Sequence, residues 1–126
     1  QFTYFNELME HAETVTRHRK YIVGGRSISE SQCHDEMNTN PKACAYHLCV
    51  SHGHPGFFEL GYITRRTYRY MYVKPEVNGL RCAGRLFEGE NALAELMKQF
   101  KKSPHKMFEA EQKAKQAHQQ RLSGIQ

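Results

Sequence analysis

Cys44, Cys49, His52 and His54 lie close together along the chain, and thiolates with imidazoles are ligands that zinc takes. Strand parity argues against a shared ion. If residues 44–51 are extended, Cys44 and Cys49 point to opposite faces. The four cysteines, with Cys33 and Cys82, show no CxxC pair and no disulfide spacing, so the expectation is buried free thiols in a reducing compartment. The eight histidines are scattered, and the sequence assembles no Ser/His/Asp or Cys/His group. Gly24-Gly25 lacks the Lys-Ser/Thr that completes a phosphate-cradling P-loop. Neither catalysis nor a cofactor nor a metal is expected.

What remains is cationic chemistry. The 126 residues carry 18 Lys+Arg against 13 Asp+Glu, a formal net charge of +5, which favours an anionic partner. A phosphoprotein, a nucleic acid and an anionic membrane all satisfy that balance. Phe57, Phe58, Tyr62, Tyr68, Tyr70 and Tyr72 could serve as base-stacking platforms on a sheet. Phe58, Leu60 and Tyr62, however, share one parity, which reads as a sheet face packed on a helix.

The elements that must position these groups follow from periodicity. Phe2, Phe5, Leu8, Met9, Ala12 and Val15 recur at helical spacing, predicting an amphipathic helix from Phe2 to about Tyr21, stopped by Gly24-Gly25. Ser27-Ile28-Ser29-Glu30 reads as a capping box that opens a second helix, ended near Thr39 by Pro41. The period then changes to two. Ala43 to Ser51, Phe57 to Thr64 and Tyr68 to Lys74 read as strands, with short pieces at Leu80 to Cys82 and Leu86-Phe87. Asn91 is placed to cap a last core helix carrying Leu93, Leu96, Met97 and Phe100 on one face, closed by Ser103-Pro104. Residues 105–126 are polar and helix-prone, expected as an exposed helix or a disordered tail adding little to the core. No apolar run nears the ~20 residues that cross a membrane, and the start QFTYFNELMEH has no signal-peptide core. With no initiator Met at position 1, the chain is expected to be part of a longer protein.

Helices flanking an antiparallel meander make an α+β architecture, and this order resembles a Src-homology-2 (SH2) domain. The run PGFFELGYITRRTYRYMYVKPEVNGLRCAGRLF, Pro55 to Phe87, carries the closer likeness. Its signals Leu60-Gly61-Tyr62, Tyr72-Val73, Gly79-Leu80-Arg81, Gly84 to Phe87 and Asn91 to Leu93 resemble the second, C-terminal SH2 domain of the suppressor-of-Ty-six family of transcription elongation factors and histone chaperones. His18-Arg19-Lys20-Tyr21 resembles the end of the helix joining the two domains of that tandem. The resemblance implies residues 1–25 as a linker helix from a preceding SH2 domain, 26–104 as the SH2-like domain, and 105–126 as a tail. It implies a nuclear, chromatin-associated module that docks on the phosphorylated linker of the largest RNA polymerase II subunit.

The usual SH2 pocket hangs on an arginine of the first central strand, whose guanidinium forks onto phosphate. Here that strand is AYHLCVS, Val50 or a neighbour stands in its place, and no arginine lies between Arg26 and Arg65. Phosphate must then meet surface cations. The resemblance singles out Lys20 and Lys98; Arg65, Arg66, Arg69 and Arg81, in or beside the strands, are the remaining candidates. Against this stand plainer readings: lysines on a solvated face, and Arg65-Arg66 as a charged loop guarding a strand edge. Weak nucleic-acid binding, or a purely structural half of a tandem, are the rival functions.

Overall fold

A computed structural model describes residues 2–124, with side-chain environments from Asn6 to Arg121; Phe2 and Phe5 of the expected apolar stripe therefore lie outside the described side chains. Helices α1 (Phe2–Thr16) and α2 (Arg26–Thr39) precede strands β1 (Tyr46–Val50), β2 (Phe58–Thr64), β3 (Thr67–Glu76), β4 (Gly79–Cys82) and β5 (Arg85–Glu88), and helices α3 (Ala92–Lys102) and α4 (Pro104–Gly124) follow. The strands form one five-stranded antiparallel sheet in the order β1-β2-β3-β4-β5. This is the α+β arrangement that the periodicities imply, in the element order that the SH2 resemblance implies.

Alternation sorts the sheet into two unlike faces. Tyr46, Leu48, Phe58, Leu60, Tyr62, Met71 and Val73 point to the apolar side, where Val15 of α1 and Leu93, Leu96, Met97 and Phe100 of α3 cover them. The Phe100 ring meets Tyr46 and Tyr62 edge-on at 5.4 and 5.1 Å. The opposite side is built from polar groups under α2: Ser29, Cys33, His47, Ser51 and Glu59 are all buried.

Some boundaries differ from expectation, for physical reasons. α1 ends at Thr16, not near Tyr21, because residues 20–22 leave the helix to pair with the outer edge of β1. The Leu48 amide donates to Lys20 O at 3.0 Å and Ile22 N donates back to Leu48 O at 2.9 Å, so the edge strand is covered. The expected capping box does not form: α2 starts at Arg26, its N-cap is Gly25, and no side chain caps it. A β-carbon at Gly25 would approach His52 Nδ1 to 2.7 Å, and this tight passage lets the helix begin early. Asn91 does occupy the N-cap position of α3, without a side-chain cap bond. Cys44 is exposed, so three of the four thiols are buried, not all. α4 contributes more than a tail was expected to: Met107 is buried in the core, Phe108 packs against it, and the Glu111 carboxylate accepts the Tyr72 amide at 2.9 Å.

Gly61 explains part of the Leu60-Gly61-Tyr62 signal. It lies on the α2 face, where the Tyr68 hydroxyl donates to Ser29 Oγ at 3.0 Å, and a β-carbon there would clash with both groups. Gly61→Ala is expected to force α2 off the sheet and cost about 1–3 kcal/mol, read as a lower urea midpoint with unchanged slope.

Candidate functional site

The α2 face of β1 presents His47, Cys49 and Ser51, in register with Gly61, Glu59 and the residues before β2. Cys49 faces Glu59 on this side; Val50, half-buried, has the opposite parity, so Cys49 is the neighbour that stands toward the helix. The Glu59 carboxylate is 2% exposed and fully engaged. Arg26 forks onto it, Nε donating to Oε1 at 2.9 Å and Nη2 to Oε2 at 2.8 Å, while Ser51 Oγ donates to Oε2 at 2.8 Å. The guanidinium also lies 3.6 Å from the Tyr70 ring centroid. Burial pushes the Glu59 carboxyl up, but the bonds from Arg26 and Ser51 outweigh that and hold it below the ordinary carboxylate value. The bond to Glu59 raises Arg26 in turn. An arginine fork of the kind that grips a phosphate is thus closed on an internal carboxylate.

Deeper under α2, Cys33 Sγ lies 3.3 Å from His47 Nδ1, and His47 Nε2 lies 2.7 Å from Glu36 Oε2. The sequence did not assemble this Cys–His–Glu group; folding does. Burial defeats it as a nucleophile. It pushes the Cys33 thiol up to about 11 and lowers His47, so the stable arrangement is a thiol donating to Nδ1 and an Nε2–H donating to Glu36. Cys33 has no exposed surface. Among the described residues no group of three His, Cys, Asp or Glu could hold a metal.

The expected cations separate into distinct places. Lys20 lies beyond α1 on the β1 edge, 3.4 Å from Glu36 Oε1 and 5.1 Å from the Tyr46 ring centroid. Lys98 is exposed on α3. Lys101, one turn on and absent from the sequence-based candidates, reaches the same Tyr46 ring at 5.7 Å. His18 reports their field: burial lowers its imidazole, and the charges of Arg19, Lys101 and Lys20 lower it further. Arg65 and Arg66 form the exposed β2–β3 turn. Arg69 is half-buried with its guanidinium 4.4 Å from the Phe108 ring, and Arg81 forks onto Glu76 at 2.7 and 3.2 Å. Lys20 and Lys101 are therefore brought together around Tyr46, while Arg81 is spent on a carboxylate and Arg69 on a ring. The three-residue spacing of Lys98 and Lys101 on one helix was the signal for Lys101.

The tyrosines are also committed. Tyr46 and Tyr62 are buried; Tyr68, Tyr70 and Tyr72 are half-buried. Tyr70 carries Arg26 and, at 5.9 Å, Lys115, while Tyr72 packs on His54 at 4.6 Å. Open rings for stacking bases are not what this sheet presents.

Comparison with known proteins agrees with this architecture. A family model described as SH2 domain matches residues 1–103. The chain is 33% identical over 95 residues to the Transcription elongation factor SPT6-like protein of Arabidopsis thaliana, and 31% over 85 residues to that plant's Transcription elongation factor SPT6 homolog. Those matches take in 75% and 68% of this chain but only 7% and 5% of the relatives' length. Among solved structures, the tandem SH2 domain of transcription elongation factor Spt6, which binds the phosphorylated RNA polymerase II C-terminal repeat domain, superposes with a TM-score of 0.67 at 18% identity. That match spans 81% of this chain and 53% of the tandem, a likeness of fold.

The Glu59 pair carries a pH signature. Its folded carboxyl lies below the ordinary 4.5, so its stabilisation is complete above that value and disappears as pH falls through the folded pKa. Urea unfolding of Glu59→Gln between about pH 5 and pH 3 is expected to show a shallower acid loss than the parent. Arg26→Ala, which strands the carboxylate, is expected to cost ~3 kcal/mol at neutral pH.

Proposed function

We propose a phosphoprotein-docking role from one premise: the chain belongs to the SH2 domain family, whose model spans residues 1–103. SH2 domains are generally non-catalytic binding modules, and the relatives are transcription elongation factors, which act in the nucleus. Our finer reading is the second, C-terminal domain of an Spt6-type tandem. It would act in the nucleus and bind the phosphorylated linker of the largest RNA polymerase II subunit beside a preceding SH2 domain. The partly exposed Leu8 and Met9 of α1 fit a face that such a neighbour would cover.

The observation carrying this reading is the convergence of Lys20 and Lys101 on Tyr46, with Lys98 a turn away on α3. A phosphoserine or phosphothreonine brings close to two negative charges and three acceptor oxygens, which converging ammonium groups can share. No ion pair among the described residues involves Lys98 or Lys101, so neither must leave a carboxylate to bind. Lys20 does keep Glu36, which fixes its position and tempers its charge. The alternative seat at Arg26 is disfavoured because an incoming phosphate would first have to displace Glu59. Arg65 and Arg66 remain in the proposal as outlying contacts; Arg69 and Arg81 are weaker members for the reasons their partners give.

Each lysine contact with phosphate is expected to contribute about 1.5–3 kcal/mol. Lys98→Glu and Lys101→Glu should each weaken a phosphorylated linker peptide by at least tenfold, about 1.4 kcal/mol, in fluorescence anisotropy at fixed salt. Arg81→Glu should change little. Equal affinity of parent protein for the phosphorylated and plain peptides would end this reading.

A further inference from the structure

The β2–β3 hairpin turns on two arginines. Between the paired Thr64 and Thr67, Arg65 and Arg66 have φ of +52° and +66°, so the two-residue loop has the left-handed backbone of a type I′ turn. Asn-Gly suits that backbone; long side chains with a β-carbon adopt it at a cost. Side chains held there against preference call for a use. Beside the turn lies a cleft of about 600 Å³ lined by His34, Met37, Pro41 and Ile63 as well as the two arginines. No carboxylate lines it, and no ion pair among the described residues involves Arg65 or Arg66. One lining residue, His34, has an acid close by: Glu30 lies 3.9 Å from its Nε2.

We infer that this cleft is a flanking subsite for an acidic peptide segment, with Arg65 and Arg66 binding Asp or Glu carboxylates and Met37, Pro41 and Ile63 receiving an adjacent aliphatic side chain. The inference rests on the docking reading above and extends it. Charge complementarity selects an anion, and the apolar floor of Met37, Pro41 and Ile63 selects a peptide: no Phe or Tyr ring lines the cleft, and the His34 imidazole is the one ring there. Position supports the same choice. Tyr46 opposes Tyr62, two residues before Thr64, so the lysine cluster around Tyr46 and the arginine turn share one end of the sheet. The backbones of Tyr46 and Arg65 are on the order of 10 Å apart, which three or four residues of extended peptide span. A ligand anchored by its phosphate at the lysines would carry its acidic flank around the sheet end to the arginines, on the α2 face but at the end of β2 remote from Glu59.

The test uses the full chain, the double variant Arg65→Asn/Arg66→Gly, and phosphoserine peptides with or without an Asp/Glu-Leu cluster three to five residues to either side. The variant suits the turn better, so its thermal midpoint is expected to hold or rise, and lost binding cannot be laid to misfolding. In the parent the acidic flank should add about tenfold in affinity; in the variant the ratio of flanked to flankless affinity should fall to about one, whatever the flankless phosphopeptide itself loses with the outlying arginine contacts. No gain from either flank in the parent, or a gain that survives in the variant, overturns the subsite. If the flankless phosphopeptide fails on the parent, the docking reading fails by itself. The subsite is then decided by an unphosphorylated Asp/Glu-Leu peptide at low salt, whose binding must be present in the parent and absent in the variant. Loss confined to a single-stranded RNA oligonucleotide would overturn the peptide assignment in favour of nucleic acid.

Discussion

A carboxylate at Glu59 is the constraint around which the α2 side of this domain is arranged. Placed on a central strand and almost wholly removed from water, it would be untenable ionised and alone. Arg26 and Ser51 answer it with three hydrogen bonds, and each partner imposes its own requirement. Arg26 must be the first residue of α2, which demands the close passage of Gly25 beside His52. The helix must then lie flat on the sheet, which demands no side chain at Gly61. Tyr70 must cover the outer face of the guanidinium. The ion pair thus positions more than it stabilises: a well-packed apolar replacement could hold the layers as well, but would not fix this geometry.

The same pair bears on where the proposed phosphate docking would take place. On the α2 face of β1 this chain presents Cys49 and no arginine, and the arginine that does reach the region from α2 is neutralised internally. Positive charge without an ion pair among the described residues remains on α3 and the β2–β3 turn, and also on α4, where Lys106, Lys113 and Arg121 are exposed. Such cations act near water, so their contacts are screened by salt. Binding of that kind gains from several weak points along one chain, because each added contact acts at the effective concentration set by the first.

Much of this was legible in the residues. Period-two runs gave the strands, and Leu93, Leu96, Met97 and Phe100 gave the buried face of α3, because these patterns are local. The meander could be ordered from turn lengths that leave no room for a crossover. What stayed hidden depended on contacts between segments far apart in sequence. Arg26 and Glu59 are 33 residues apart, and nothing local marks them as partners. Cys33, His47 and Glu36 join only when α2 lies on β1. Glu111 looked like one polar residue in a polar helix, until the unpaired Tyr72 amide at the edge of β3 gave it a partner. Among the cations, charge alone could not tell Arg81, tied to Glu76, from Lys98, which is exposed.

On the docking reading proposed above, the difference between charge present and charge available is what would make a basic domain selective. The sequence offers an excess of five positive charges, enough to attract any polyanion. Folding then removes several from play: Arg26 on Glu59, Arg81 on Glu76, Arg17 on Glu13, with Lys20 partly on Glu36. Of the tyrosines that could have stacked bases, Tyr62 is buried, Tyr68 is tied by its hydroxyl to Ser29 under α2, and Tyr70 and Tyr72 are covered by cations of the chain itself. On that reading a nucleic acid would meet charge with few open rings, and a phosphate directed at Arg26 would meet a fork already closed on Glu59. A phosphoserine or phosphothreonine needs neither a deep aromatic slot nor a free fork, only converging ammonium groups, and in the proposed docking mode Lys20 and Lys101 around Tyr46 would supply them.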